Sequence, residues 1–284
     1  MTKTIKALIA VGGTGGHVFP GCNLADHLSK NNYDVVLTTD NRGFRYLEKF
    51  KHLKIFKLPS APINTKNILT LFFSFFFILY SILRSLLFLL FNKPSIIFGM
   101  GGYASFPICV AATILRIKFI IYENNLIVGK ANKYLIPFTE KIFVSFKELE
   151  GIPQKYTKKI IEIGNIINKE IIFHQKEKFQ NDDKKLKILI LGGSQAAKIF
   201  AETLPKIFRD CVNQGVLLKV YQHCLPSQNN KLMMFYKETQ IDFEIFNFSY
   251  KLVDYFSKVD LAITRSGSSM LAELTNAKVP FISV

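Results

Sequence analysis

Short runs of consecutive apolar residues alternate along the chain with longer stretches where apolar residues recur every three to four positions. The first kind reads as buried strands of parallel sheets, the second as helices packed on their faces. Strands are expected at 7–11, 35–38, 55–58, 96–98, 119–122 and 142–144. A second series covers 187–191, 217–221, 243–246, 261–264 and 280–284. Such strand–helix alternation predicts an α/β protein with two parallel sheets, each in a Rossmann-like domain, facing a cleft. Between the series, 168–185 (NKEIIFHQKEKFQNDDKK) is polar and charged and reads as a linker. The expected organisation is a first domain at 1–167 and a second at 186–284. Because the final apolar run coincides with the end of the chain, the second domain is expected to be incomplete.

One segment breaks the pattern. Residues 68–91 (ILTLFFSFFFILYSILRSLLFLLF) are long and apolar enough to cross a membrane. Arg84 interrupts the segment, and the strands on either side belong to one sheet, so both ends should lie on the same side. The expectation is an interfacial helix with an apolar face at the bilayer edge and Lys66, Arg84 and Lys93 near headgroups. A buried helix and a true span are the alternatives.

Charge narrows the partners. Lys and Arg number 37 against 21 acidic residues, a net charge of +16. No nucleic-acid motif accompanies it and the lysines are spread along the chain, so nucleic acid is not expected as a partner. An anionic membrane surface or anionic substrate fits, as does a generally Lys-rich composition. The four cysteines, Cys22, Cys109, Cys211 and Cys224, show no metal spacing and suit a reduced compartment. Met1 leads into a strand, so no signal peptide is expected. No Asp-x-Asp or His/Cys/carboxylate cluster appears, so neither a catalytic metal nor another cofactor is expected.

Candidate chemistry sits where strands turn into helices. After the first strand comes 12–21, GGTGGHVFPG, followed by a helix read at 22–30. Glycine-dense turns leave backbone N–H groups at a helix N-terminus, where they hold phosphate, and His17 adds a group that moves protons near neutral pH. The turn is neither GxGxxG nor a Walker loop. A second glycine loop, 99–105 (GMGGYAS), also follows a strand, and the pair of loops could wrap a diphosphate. At 122–125, YENN ends a strand at the sheet rim, although Asn125 there also suits a helix cap. Near the end, 264–269 (TRSGSS) suits a phosphate, and Glu273 in the following helix could take two ribose hydroxyls.

Together these motifs resemble the MurG family, bacterial UDP-N-acetylglucosamine:lipid I N-acetylglucosaminyltransferases. The match runs in order through 12–21, 99–105, 122–125, IGN at 163–165, GGSQ at 192–195 and RSGSSMLAE at 265–273. The resemblance implies a GT-B fold and an inverting, metal-independent transfer from UDP-GlcNAc to the C4 hydroxyl of undecaprenyl-diphosphate-MurNAc-pentapeptide. It implies a peripheral protein at the cytoplasmic face of the cell membrane. By position, His17 resembles the family's general base, with Glu123 the second candidate catalytic residue. Donor or substrate contacts carry over to Thr14, Gly15, Gly16, Asn125, Ser194, Ser249, Ser268, Ser269, Met270, Leu271, Ala272 and Glu273. Gly101, Gly102 and Tyr103 resemble the acceptor diphosphate loop. The chain departs from the family at Tyr122 and Asn124 (usually His and Gln), at Ala196 (Gly) and at Asn168 (Arg). A second function to weigh is a partial protein that binds UDP or a lipid diphosphate without full catalysis.

Overall fold

The apolar runs of the first half become strands whose alternate residues feed two separate cores. The computed structural model describes residues 5–62, 67–173, 184–247, 249 and 252–284, without the side chains of 193–197. It divides into two compact units, Met1–Ile167 and Asn168–Val284. The first unit contains β1 (Lys6–Ala10), β2 (Asp34–Thr39), β3 (Lys54–Lys57), β4 (Ile96–Gly99), β5 (Phe119–Glu123), β6 (Lys141–Val144) and β7 (Ile160–Glu162). They form one parallel sheet in the order β3-β2-β1-β4-β5-β6-β7. Its helices are α1 (Gly15–Lys30), α2 (Asn41–Phe44), α3 (Ile68–Asn92), α4 (Gly102–Ile114) and α5 (Lys130–Leu135). Along β1, Leu8 and Ala10 enter one core with Ile97, Ile108 and Ile121, while Ile9, and Val11 just past the strand, enter the other with Val18, Cys22 and Leu37. That two-residue period is why the strand reads as unbroken hydrophobicity. The edge strand β7 was not among the expected strands; it has three residues, none of them fully buried.

The direction of winding reverses at β1. The chain adds β2 and β3 on one side of it, then places β4 on the other, with Ala10 paired to Gly99. Loops leaving β1 and β4 therefore emerge side by side at the switch point, where ligands of open α/β sheets bind.

Helix α3 is opened by Asn67, whose Oδ1 accepts from the Thr70 N–H at 2.8 Å, in a reciprocal capping box. Its fully buried residues are Ser81, Ser85 and Leu89, spaced four apart so that one face lies against the protein. The hydroxyls are satisfied within the helix: Ser81 Oγ donates to Phe77 O at 2.7 Å and Ser85 Oγ to Ser81 O at 2.8 Å. Outside that stripe the helix is apolar and exposed, from Leu69, Phe72, Phe73 and Phe76 to Leu83, Leu87 and Phe91. Only 17% of its most apolar window is buried, with a mean hydropathy of 2.1, so it is not a core helix. The helix exposes an apolar face, in a pattern inverted from that of an ordinary surface helix: small hydroxyl residues face the protein and large apolar ones face away.

The second unit contains α6 (Lys169–Ile172), β8 (Leu186–Leu191), α7 (Gly193–Asn213), β9 (Leu218–His223), α8 (Asn229–Glu238), β10 (Asp242–Phe246), α9 (Val253–Phe256), β11 (Leu261–Thr264), α10 (Ser268–Asn276) and β12 (Phe281–Ser283). Its parallel sheet runs β10-β9-β8-β11-β12, so β8 and β11 flank a second switch point. The core joins Ile188, Ile190, Val220 and Ile263 from the sheet to Phe200, Phe208, Leu232 and Tyr236 from the helices. Of the stretch read as a linker, 168–173 holds α6, and 174–183 lies outside the described residues.

Candidate active site

The first glycine loop is held by close approach. A Cβ on Gly12 would lie 2.2 Å from Ala104 Cβ and 2.9 Å from Asp40 Oδ1, so only glycine lets the chain pass between the end of β2 and the start of α4. The Asp40 carboxylate accepts from the Gly13 N–H at 3.0 Å and the Gly43 N–H at 2.7 Å. Helix α1 begins at Gly15 with Thr14 as N-cap, inside the glycine loop rather than at 22 as expected. Pro20 hid that start from the sequence. Proline has no N–H to give the carbonyl four residues back, and Asn124 Nδ2 donates to that carbonyl, Gly16 O, at 3.2 Å. Thus the YENN motif is fastened to the first turn of α1.

His17 lies in that first turn, against the second glycine loop. A Cβ on Gly101 would stand 3.1 Å from His17 Nδ1, and one on Gly102 would stand 3.1 Å from Cδ2. Both glycines are in the left-handed region, at φ +86° and +72°. The imidazole therefore occupies space that only two glycines leave open. Burial lowers its pKa below the usual 6.5, against the opposing effects of the Glu123 charge and a hydrogen bond to the Met100 carbonyl. A neutral imidazole that donates one ring N–H to Met100 keeps a lone pair on its other nitrogen.

Glu123, expected beside His17 as a catalytic group, is turned inward and is 2% exposed. Its Oε1 accepts from the Asn125 N–H at 3.2 Å and Asn125 Nδ2 at 2.9 Å. Its Oε2 accepts from the Gly129 N–H at 2.8 Å and Asn132 Nδ2 at 3.0 Å. Four donors on one carboxylate describe a group that positions the 124–132 segment and lends charge to His17. Exposed Asn125 is thereby fixed at the rim. Sequence reading passed over Asn132, which is buried on α5 and also donates to Tyr122 O at 3.0 Å. Tyr122 Oη meets Ser145 Oγ at 2.9 Å and accepts from the Ile166 N–H at 3.2 Å, and Ser145 Oγ donates to Asn165 Oδ1 at 3.1 Å, which ties the IGN motif to β5. Thr14 and Tyr103 are exposed at the same rim, and Gly15 and Gly16 form the first residues of α1. Neither α1 nor α4 has a side-chain cap on its first turn.

In the second unit, the expected residues that follow β8 and β11 lie at the other switch point, whereas Ser249 follows the edge strand β10. Gly192 leads from β8 into α7, and Thr264 at the end of β11 donates from Oγ1 to Leu191 O at 3.1 Å. Ser268 to Glu273 form the start and middle of α10, which has no side-chain cap. Burial pushes the Glu273 carboxyl up to about 7. Among the described residues its carboxylate has no hydrogen-bond or ion-pair partner. The Ser194 side chain lies outside the described residues, and Ser249 stands beyond β10 with 248, 250 and 251 also outside them. Among the described residues, no group of three His, Cys, Asp or Glu side chains is placed to hold a metal ion.

Comparison with known proteins gives a consistent picture across both units. Residues 7–144 match the glycosyltransferase family 28 N-terminal domain and residues 187–284 match the family 28 C-terminal domain. The chain is 35% identical over 280 residues to the Pelagibacter ubique UDP-N-acetylglucosamine–N-acetylmuramyl-(pentapeptide) pyrophosphoryl-undecaprenol N-acetylglucosamine transferase. That match covers 98% of this chain and 77% of the relative. The Rickettsia canadensis protein of the same name is 31% identical over 98% of this chain and 78% of its own length. Among solved structures, Acinetobacter baumannii MurG superposes with a TM-score of 0.72 at 22% identity, over 99% of this chain and 78% of that one. A UDP-N-acetylglucosamine 2-epimerase superposes at 0.68 and 14% identity, over 99% and 79%.

Proposed function

The chain belongs to glycosyltransferase family 28, within the MurG family of GT-B enzymes, and from that premise we propose that it converts lipid I to lipid II. It takes N-acetylglucosamine from UDP-GlcNAc and places it on the C4 hydroxyl of undecaprenyl-diphosphate-MurNAc-pentapeptide. The observation that carries this reading is the His17 ring, held between two glycine loops at a switch point with its pKa lowered by burial. A neutral imidazole there takes the proton of the acceptor hydroxyl as that oxygen attacks C1 of the donor sugar. The bond from C1 to the phosphate oxygen breaks, UDP leaves with the electron pair, and the configuration at C1 inverts. Glu123, buried nearby, favours the imidazolium as it forms.

The two units take different charges in this scheme. In the first, the starts of α1 and α4, with Thr14, Gly15, Gly16, Gly101, Gly102 and Tyr103, receive the acceptor diphosphate. In the second, Ser194, Ser249 and the residues from Ser268 to Ala272 receive UDP, and Glu273 accepts from the ribose hydroxyls. Asn125 faces the donor sugar. The inverted pattern of α3 supports docking on an anionic membrane, which is where the lipid acceptor resides: phenylalanines and leucines facing outward fit acyl chains, and the cationic chain fits headgroups.

Incubation of the chain with UDP-GlcNAc and a lipid I analogue in mixed micelles is expected to release UDP and form the disaccharide lipid. His17→Ala is expected to abolish transfer with little loss of UDP-GlcNAc affinity. Full turnover by that variant refutes the base assignment. UDP-GlcNAc binding by the wild-type chain without transfer refutes the enzymatic reading in favour of a binding protein.

A further inference from the structure

At the rim beside the first glycine loop stands a cation that neither motif contains. Asp40 follows β2 and is 2% exposed. One of its oxygens is taken by two backbone N–H groups, Gly13 at 3.0 Å and Gly43 at 2.7 Å. The other faces Arg42 Nε at 3.5 Å, too long for more than a loose tether. The side chain of Arg42 is 44% exposed. Among the described residues its terminal nitrogens have no hydrogen-bond partner. Nη2 lies 3.6 Å from where a Cβ on Gly13 would stand, and Gly13 is in the left-handed region at φ +78°. The guanidinium therefore rests beside a bare glycine, with no side chain between it and the loop.

Two neighbouring cations are occupied. Lys57 Nζ sits 3.6 Å from the centre of the Phe44 ring, and Arg45 Nε donates to Arg42 O at 3.0 Å. Meanwhile the Gly13 N–H is directed into Asp40 and is not available to an anion. A diphosphate at this loop would meet the starts of α1 and α4, which carry no side-chain cap, but would lack a full charge to balance its own. Arg42 supplies that charge in a forked geometry that matches phosphate oxygens.

We propose that Arg42 is an anion-binding residue of the first unit, held beside Gly13 by Asp40 so that its guanidinium contacts the diphosphate of the lipid-linked acceptor. The assignment to an acceptor rests on the function proposed above; the affinity for a prenyl diphosphate does not.

The test compares wild type, Arg42→Ala and Arg42→Lys as full chains in mixed micelles. In steady-state transfer, Arg42→Ala is expected to raise the acceptor KM roughly ten- to a hundredfold, the range for losing a charged hydrogen bond. The KM for UDP-GlcNAc and the melting temperature should stay at wild-type values, and Arg42→Lys should recover part of the loss. Direct titration with farnesyl diphosphate, a short prenyl diphosphate, is expected to show the same weakening in Arg42→Ala. Should wild type bind farnesyl diphosphate through Arg42 yet transfer no sugar, the anion site stands and the enzymatic reading fails. An Arg42→Ala variant with unchanged acceptor KM and unchanged farnesyl diphosphate affinity overturns the proposal. So does one whose melting temperature and both KM values shift together, because Arg42 would then only brace α2.

Discussion

Replacing Gly101 with alanine separates the placement of His17 from general stability. The new methyl would stand 3.1 Å from Nδ1 and 3.2 Å from Cε1 of the imidazole, on a backbone at φ +86°. The left-handed conformation alone costs an L-residue about 1–2 kcal/mol. Contacts that short force the ring aside by a few tenths of an ångström, and the total is about 1–3 kcal/mol. For units of this size that corresponds to a fall of roughly 3–10 °C in melting temperature. The effect on chemistry should be comparable in free energy to that on folding, because a misplacement of about 1 Å in a reacting group costs about a hundredfold, or about 2.7 kcal/mol. We expect kcat to fall by about tenfold or more. Gly215→Ala is the control: its φ is +90° but nothing lies within 4 Å of the added methyl. It carries the backbone cost without the collision, so melting should fall while kcat holds. Differential scanning fluorimetry and UDP release on a lipid I analogue read both quantities. Wild-type kcat in Gly101→Ala, or an equal loss of kcat in Gly215→Ala, refutes the reasoning.

Three further outcomes follow from charge and exposure. His17 has its pKa lowered by burial, so the folded state resists its protonation; stability should fall as pH drops below 6.5 and fall less in His17→Gln, by denaturant titration. Identical pH–stability curves for the two would contradict this. Glu273 is raised from 4.5 to about 7, so its ionisation costs stability as pH rises through that window, and ribose hydroxyls should recover the carboxylate. UDP-GlcNAc binding should therefore tighten as pH rises towards 7 and release protons in calorimetry, with both effects lost in Glu273→Gln; a flat wild-type profile counts against a ribose contact. Changing Phe72, Phe76 and Leu79 to aspartate should release the protein from anionic vesicles in flotation, and unchanged binding would rule out α3 as the docking element.

The sheets were legible because buried parallel strands must be apolar on both faces, as at Leu8 and Ile9, which enter different cores. β7 was missed because three half-exposed edge residues carry no such signature. The start of α1 was misplaced because glycines and Pro20 argue against helix locally, while the compensating bond comes from Asn124 across the fold. Asp40, Arg42 and Asn132 escaped notice for the same reason: their meaning lies in contacts with the glycine loops and with Glu123 that no neighbouring residue reveals. The length and apolarity of α3 were plain from sequence. Which residues form its inner face was not, since only packing reveals that Ser81 and Ser85 lie against the protein.

The pairing of β1 with β4 also sets the order in which the protein can fold. Ala7 finds Ile96, and Ala10 finds Gly99, only after all of α3 has been made. Non-local parallel pairing is slow, and until it forms β1 offers an open edge while the most adhesive segment of the chain hangs beside it. Assembly of the two glycine loops therefore competes with self-association through α3. A lipid surface that takes up α3 early would remove the competitor, so refolding from urea should yield more monomeric protein with anionic vesicles present than without. Equal yields would mean that α3 does not govern the competition. On this view the membrane acts on the protein before any substrate does, as a partner in its folding.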